Sequence, residues 1–298
     1  MTKNIPELDK LFQEVGTYRK SSEFKELFEF VKKFPDIAPY NAMLIHIQKP
    51  GSRYVASASQ WKQRFSRDIN PGARPLVILR PFGPVAFVFE LGDTTGKEPF
   101  PDELLNPFKV EGKITWNDYG NLIENLKTDG ISYSEVEYGP SMAGSIGISK
   151  VDSEQKIVRG QKEIWVKIYY NMVVNSKHEK ETRFATILHE LGHLYCGHLG
   201  TPYKEWWGDR RDGSKNEKEF EAESVCYLVC ERMGINNPSA AYLNGYLDEE
   251  EYIPDISIDT VLKSVNTIES MINKQKKPRK EIIIREIQRQ NQQTVLPF

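Results

Sequence analysis

Apolar residues recur at helical spacing in several parts of the chain. Near the N-terminus, residues 6–34 predict two short helices separated near residues 16–22, and residues 40–48 predict a third helix, which Pro50 and Gly51 stop. Helical patterns return later in the sequence, over residues 116–127, from about 176 to Gly197 or Gly200, over 217–233 and over 257–273. The helical signal is strongest after residue 176.

Short runs with the composition of β-strands lie between these helices. They cover residues 53–58, 76–80, 85–91, 132–138 and 163–170. Residues 92–112 are rich in Pro, Gly and acidic residues and predict a linker or long surface loop. We therefore predict an α+β protein, with a smaller mixed α+β domain over residues 1–128, a second domain over 129–275 and a basic C-terminal tail over 276–298 that is mobile at its end.

Composition and charge bear mainly on where the protein is located. With 40 basic and 42 acidic residues, the net charge of −2 argues neither for nor against a polyanionic partner. No stretch approaches the ~20 apolar residues that span a bilayer, and the first residues lack the apolar segment of a signal peptide. Three cysteines are odd in number and too few for a disulfide framework. We therefore expect a soluble, cytoplasmic protein without a membrane partner.

The helix that follows residue 176 contains the sequence HELGH, which matches HExxH. His189 and His193 are four residues apart, so both imidazoles lie on one face of the helix and can reach one small cation. Glu190 is directed beside that cation, where its carboxylate can take a proton from a bound water. The motif therefore predicts a Zn²⁺ site with Glu190 as the catalytic base.

A tetrahedral zinc site of this type needs a third protein ligand. His198 lies nine residues after His189, where the longer metzincin pattern needs ten, and is interpreted as a histidine at a helix C-terminus. On the next predicted helix, Glu219 and Glu223 share a face, while Glu221 lies on the opposite side and is expected to be solvated. We assign Glu219 as the metal ligand and Glu223 as the partner that orients a histidine, with the reverse assignment left open.

The two C-terminal helices resemble a known family. The segment TILHELGHLYCGHLG followed by KEFEAESVCYLVCERMGI is similar to the ImmA/IrrE family of bacterial zinc metallopeptidase domains, whose pattern is HExxH, a variable loop and E-x-x-A-(N/E) on a helix. The resemblance covers residues 183–272, about a third of the chain. It implies a zincin-like fold and an endopeptidase that cleaves a protein substrate such as a regulator or repressor. The matching positions are His189, Glu190, His193, Glu219, Ala222 and Glu223, the last where many members have Asn.

The N-terminal region is similar, more loosely, to the N-terminal domain of ArdC-type antirestriction proteins, which is associated with binding single-stranded DNA. The resemblance lies in NAMLIHIQKPGSRYVASASQWKQRFSRDINPGARPLVIL. Residues 53–80 contain six Lys or Arg residues and one acidic residue, with aromatic residues among them. That composition suits backbone contacts with base stacking, and equally a solvated basic face over an aromatic core. The candidate nucleic-acid-binding residues are Arg53, Trp61, Arg64 and Arg67.

Three hypotheses of function follow. The first is a zinc metallopeptidase whose peptide substrate lies along the predicted strand at 163–170. Arg210, Tyr242 and Tyr246 are candidates, by residue type alone, for stabilising the oxyanion. The second is an ArdC-like antirestriction or single-stranded DNA-binding protein with a non-proteolytic zinc site. The third is a module that senses metal or redox state through its cysteines, Cys196, Cys226 and Cys230.

Overall fold

The computed structural model describes residues 21–34, 37–80, 83–101, 113–138, 143–235 and 253–288. Within these ranges the protein is a mixed α+β structure, which confirms the predicted class. The helices are α1 (Ser21–Lys32), α2 (Pro39–Gln48), α3 (Ala58–Phe65), α4 (Trp116–Leu126), α5 (Lys180–Tyr195), α6 (Lys215–Arg232) and α7 (Ile258–Asn273). The strands are β1 (Val55–Ala56), β2 (Arg67–Ile69), β3 (Leu76–Arg80), β4 (Gly83–Glu90), β5 (Thr94–Gly96), β6 (Ile131–Val136), β7 (Gly144–Ile148), β8 (Glu154–Arg159), β9 (Lys162–Lys167), β10 (Tyr170–Asn175) and β11 (Ile283–Gln288).

The described residues form two compact units, and each unit is discontinuous in sequence. One unit draws on residues 1–113 and 213–266, and the other on residues 114–212 and 267–298. These units therefore do not coincide with the predicted divisions at residues 128 and 275. None of the helices in the described ranges combines the length and the hydropathy of a membrane-spanning segment.

In the first unit, two side-chain amides join helix α2 to strand β3. Asn41 accepts from the backbone N–H of Leu79 at 2.9 Å and donates to its carbonyl at 3.0 Å. Gln48 makes the same pair of bonds to Val77, both at 2.8 Å. Strand β3 pairs with β4, which also pairs with β1, in an antiparallel sheet of order β1-β4-β3, while β2 pairs with β5.

The predicted strand at 53–58 is wrong over most of its length. Only Val55–Ala56 is a strand, and the chain then enters helix α3. The helix begins at Ser57 with a capping box: the Ser57 hydroxyl accepts from Gln60 N at 3.3 Å, and the Gln60 side chain accepts from Ser57 N at 2.9 Å. The S-x-x-Q spacing that specifies this cap is visible in the sequence.

The second unit contains two three-stranded sheets, of order β6-β10-β7 and β11-β9-β8. Strand β10 is parallel to β6 and antiparallel to β7. The predicted single strand at 163–170 is in fact β9 followed by the start of β10. Because both strands have a partner on each side, neither offers an edge, and the expectation that a peptide lies along this segment is wrong.

The first part of the predicted basic tail is ordered. Strand β11 pairs antiparallel with β9. Before it, Arg279 donates to the carboxylate of Asp129 at 3.0 Å and places its guanidinium 4.5 Å from the ring centre of Trp206. The residues after 288, for which the sequence predicts mobility, lie outside the described ranges.

Candidate metal centre

Helix α5 carries the HExxH motif and is held by the core along one side. Ile187, Leu188 and Leu191 are fully buried, at the spacing of an amphipathic helix. The chain turns at Gly197, whose φ is +84°. A Cβ atom at this position would overlap the carbonyl oxygen of Gly208. Glycine is therefore required here, and the helix ends directly after the motif.

The two motif histidines converge on one point. The Nε2 atoms of His189 and His193 are 3.2 Å apart, and both side chains are half-buried. A tetrahedral zinc ion with Zn–N distances of about 2.0–2.1 Å holds two nitrogens about 3.3 Å apart. The spacing of the two imidazole nitrogens therefore fits one shared zinc ion.

Glu190 lies beside these histidines, and a backbone donor holds its carboxylate. The N–H of Ile146, in strand β7, donates to Oε2 of Glu190 at 2.9 Å. A hydrogen bond to a carboxylate fixes its orientation. Strand β7 therefore holds the side chain of Glu190 in one position.

Strand β7 is an edge strand of the sheet β6-β10-β7 among the described residues. Ser149, just past its end, donates its N–H to the carbonyl of Tyr169 at 2.8 Å. In an antiparallel pair, alternate residues bond to the partner strand. The backbone groups of residues 144, 146 and 148 therefore point away from β10, along the free edge that Glu190 contacts through Ile146.

A cavity of about 160 Å³ opens near the C-terminal end of β7. Its lining is mainly apolar and aromatic, with one guanidinium. The lining residues are Ile148, Tyr169, Tyr170, Leu199, Gly200, Thr201, Pro202 and Arg211.

The predicted third ligand, Glu219, lies on helix α6 in the other compact unit, and its role as a metal ligand stays a prediction. Glu219 is in the second turn of α6, which begins with a capping box in which Ser214 and Glu217 exchange hydrogen bonds at 3.2 and 2.8 Å. Two imidazoles and one carboxylate form a donor set that zinc accepts, with a fourth position left for water.

The expectation that Glu221 is solvated is wrong. Glu221 is 1% exposed, and its carboxylate accepts from the backbone N–H of Ser257 at 2.7 Å. All residues from 220 to 230 are buried, so this helix has no solvent face over that stretch. Glu223 is also buried, and its predicted role in orienting a histidine stays a prediction.

His198 is more than a histidine at a helix end. Its Nδ1 atom lies 2.9 Å from Nδ1 of His193, and its backbone N–H donates to the carbonyl of His193 at 3.0 Å. The side chain is buried.

Of the other candidate residues, the structure describes Arg210 and the three cysteines. Arg210 donates through Nη1 to the carbonyl of Cys196 at 3.3 Å and through its backbone N–H to the carbonyl of Gly197 at 2.9 Å. Tyr242 and Tyr246 lie outside the described residues. All three cysteines, Cys196, Cys226 and Cys230, are buried and free of disulfides.

In the first unit, the burial of Trp61 favours the second interpretation of the basic segment, in which its aromatic residues form a core. Its ring is fully buried, in a cluster with Tyr54, Phe65 and Phe100. Its Nε1 donates to the carbonyl of Phe89 at 2.9 Å. The tryptophan is therefore part of the core and offers no face on which a base could stack.

The three candidate arginines differ in their surroundings. Arg53 and Arg64 are exposed. Arg67 is half-buried and donates three hydrogen bonds to uncharged acceptors: the hydroxyl and carbonyl of Thr94, at 2.8 and 3.1 Å, and the carbonyl of Glu98, at 3.2 Å. Arg53 and Arg67 line a cavity of about 490 Å³ together with Lys97, whereas Arg64 does not line it.

Two features of the candidate metal centre do not follow from the motif itself. Ile146 lies on a glycine-containing strand, GSIGI, with little strand signal. The contact of His198 with His193 leaves a clearer signal: a histidine five residues after the motif, one residue past the glycine that turns the chain back.

Searches against models of known protein families, curated proteins and solved structures give no match for this chain.

Proposed function

We propose that this protein is a zinc-dependent metallopeptidase of the ImmA/IrrE type that hydrolyses a peptide bond in a protein substrate. The observation that carries the proposal is the 3.2 Å approach of the His189 and His193 Nε2 atoms, beside a glutamate whose carboxylate is oriented by a backbone N–H. A site that only holds a structural zinc ion has no need of an oriented carboxylate next to its ligands.

In this proposal His189, His193 and Glu219 hold the metal. When bound, zinc supplies a Lewis acid that lowers the pKa of a coordinated water to about 7 and polarises a carbonyl. Glu190 accepts the proton of the attacking water on its carboxylate and later gives that proton to the leaving amine. The N–H of Ile146 keeps Oε2 of Glu190 in place through both transfers.

The free edge of β7 supports a peptide as the substrate. An extended peptide that pairs with this edge bonds to the backbone groups of residues 144 and 148, on either side of the residue that holds Glu190. A side chain of that peptide opposite Ile148 would reach the cavity of about 160 Å³.

The test uses the full chain, a peptide library prepared by digesting a proteome, and mass spectrometry of newly formed termini. We expect zinc-dependent cleavage by the wild type and a loss of about 10²–10⁴-fold in Glu190→Gln, with about one zinc per chain retained in both. Glu181→Gln, on the same helix and outside the site, is the matched control and should cleave like the wild type. Zinc-loaded wild type that produces no new termini would sink the proposal, as would unchanged cleavage by Glu190→Gln.

A second candidate function, binding of single-stranded nucleic acid, is favoured by the basic cavity of the first unit. Arg53, Arg67 and Lys97 line it together with one acidic residue, Glu98, and the excess of positive charge attracts a phosphate backbone. Because Trp61 is buried, this candidate function does not include stacking of a base on its ring.

The second candidate is tested by the fluorescence anisotropy of a labelled oligo(dT) strand at several salt concentrations. Arg53→Gln should weaken binding and lower the slope of log K against log salt by about 0.7. Arg64→Gln removes the same charge outside the cavity and should leave both quantities unchanged. Equal behaviour of the two variants would exclude the cavity as the binding site.

A further inference from the structure

His193 and His198 make an unusual contact. Their Nδ1 atoms are 2.9 Å apart, which is hydrogen-bond distance. The backbone of His198 makes a second link, because its N–H donates to the carbonyl of His193 at 3.0 Å. His198 is 8% exposed, so little water competes for the contact between the two rings.

The contact restricts where the protons lie. A neutral imidazole carries one proton, on either Nδ1 or Nε2. The Nε2 of His193 faces the Nε2 of His189 at 3.2 Å and must present a lone pair to a shared cation. The proton of His193 is then on Nδ1, from which it is donated to Nδ1 of His198. His198 in turn carries its own proton on Nε2.

We propose that His198 is a positioning residue for the metal centre, which accepts the Nδ1 proton of His193 and thereby fixes the tautomer and the ring orientation that bind zinc. This inference rests on the proposed zinc site. Partners of this kind hold a ligating ring in place and raise its basicity, and their loss weakens metal binding 10- to 100-fold. In this protein the partner is another imidazole, held five residues further on by the turn at Gly197.

The geometry of the side chain supplies a matched pair of variants. In asparagine, Oδ1 is bonded to the γ carbon, as Nδ1 is in histidine, so His198→Asn keeps an acceptor near the same place. In glutamine, the acceptor lies one bond further out, and alanine has none. The measurement is the zinc affinity of the zinc-free full chain, in competition with a chromophoric chelator, for the wild type and for all three variants.

We expect His198→Ala and His198→Gln to bind zinc 10- to 100-fold more weakly than the wild type, and His198→Asn to stay within about threefold. Equal weakening in all three variants would show that His198 only fills space, and wild-type affinity in His198→Ala would show that it does nothing for the metal. Either result overturns the proposal.

A second measurement needs no variant. Long-range ¹H–¹⁵N NMR spectra of the histidine rings in the zinc-loaded wild type should show a proton on Nδ1 of His193 and on Nε2 of His198. A His193 ring protonated on Nε2 would overturn the assignment.

Stoichiometry separates the proposal from its main rival. If His198 ligated a second zinc ion, the wild type would bind two zinc ions. His198→Ala would then lose one and keep the affinity of the other, and the positioning role would be wrong. Zinc binding that depends on His198 without any proteolysis would sink the peptidase proposal alone, whereas a wild type that binds no zinc would sink both.

Discussion

Residue types predict a function for the HExxH helix and another for the basic segment at residues 53–80. The structure agrees with the first prediction much better than with the second. On the helix, the two histidines lie together, with their Nε2 atoms 3.2 Å apart. In the basic segment, Trp61 is fully buried and separated from the solvent that its predicted role requires. One interpretation used a spacing along a helix, and the other used a composition.

The difference has a physical cause. Four residues along a helix fix the relative positions of two side chains almost regardless of the surrounding protein. Composition does not fix which side of a segment faces water, because aromatic residues serve a core as well as a stacking surface. In the basic segment the aromatic residues pack with one another, and the exposed arginines Arg53 and Arg64 remain outside the cluster.

The largest expected effect tests the helix side of this comparison. The variant with both His189→Ala and His193→Ala should bind no detectable zinc, compared with about one ion per chain in the wild type, because two of the three proposed protein ligands are gone. Metal analysis after gel filtration measures this, with His178→Ala, which lies before the helix, as the control. Stoichiometric zinc in the double variant would show that the metal binds elsewhere in the chain. The spacing of the two histidines would then have failed to identify the site.

The next largest effect tests the burial of Trp61 in the basic segment. Trp61→Ala should destabilise the protein by about 4 kcal/mol, because a large buried ring leaves a cavity. Trp61→Phe keeps an aromatic ring but loses the hydrogen bond to the Phe89 carbonyl, which is worth about 1 kcal/mol. Denaturation by urea, followed by circular dichroism, gives both values. If Trp61→Ala folded normally and lost only affinity for oligo(dT), the ring would be a stacking surface and our description of this segment would fail.

The sequence predicted most of the helices because each has its own pattern. Pro39–Gln48, Trp116–Leu126 and Ile258–Asn273 begin and end within two residues of the predicted bounds. Strands β7 and β11 were missed because they are short and depend on partners far away in the sequence. Local periodicity contains little information about such pairing.

The predicted ligand on the second helix shows a further limit. The helical period places Glu219 and Glu221 on different faces of α6, and Glu219 stays the predicted ligand. The period failed to predict the burial of Glu221, because α6 is buried on all sides over residues 220–230. When every side of a helix is buried, the helical period predicts the direction in which each side chain points but not whether that side chain is exposed to solvent.

The third prediction concerns the contribution of the basic C-terminal tail to the stability of helix α5. Asp129 is 1% exposed and accepts from Tyr195 of α5 at 2.8 Å and from Arg279 at 3.0 Å. Arg279→Ala leaves this carboxylate without its hydrogen-bonded cation and should destabilise the protein by about 3 kcal/mol, as measured by urea denaturation.

Arg285→Ala is the matched control for this prediction. Arg285 also pairs with a carboxylate, that of Glu154, and its guanidinium lies 4.5 Å from the ring centre of Trp165. Its ion pair is exposed to solvent, so its loss should change stability much less. Equal effects of the two substitutions would mean that burial of Asp129 contributes nothing to the support of the helix.

The smallest effect concerns the hydroxyl of Tyr170, at the start of β10. It donates to the carbonyl of Gly200 at 3.2 Å, and Trp207 donates to the same oxygen at 2.9 Å. Because that oxygen keeps one donor, Tyr170→Phe should lower the free energy of unfolding by only about 1 kcal/mol at pH 8.

Burial raises the pKa of the Tyr170 hydroxyl, so above pH ~10 the unfolded chain loses this proton while the folded chain keeps it. The stability of the wild type then falls by up to ~1.4 kcal/mol per pH unit on account of this group, and the variant lacks that loss. Urea denaturation at pH 8 and pH 11 should therefore show the difference between the two proteins vanish at the higher pH. A constant difference would mean that the hydroxyl is solvated, and that strand β10 is less tightly packed than the burial of Tyr170 indicates.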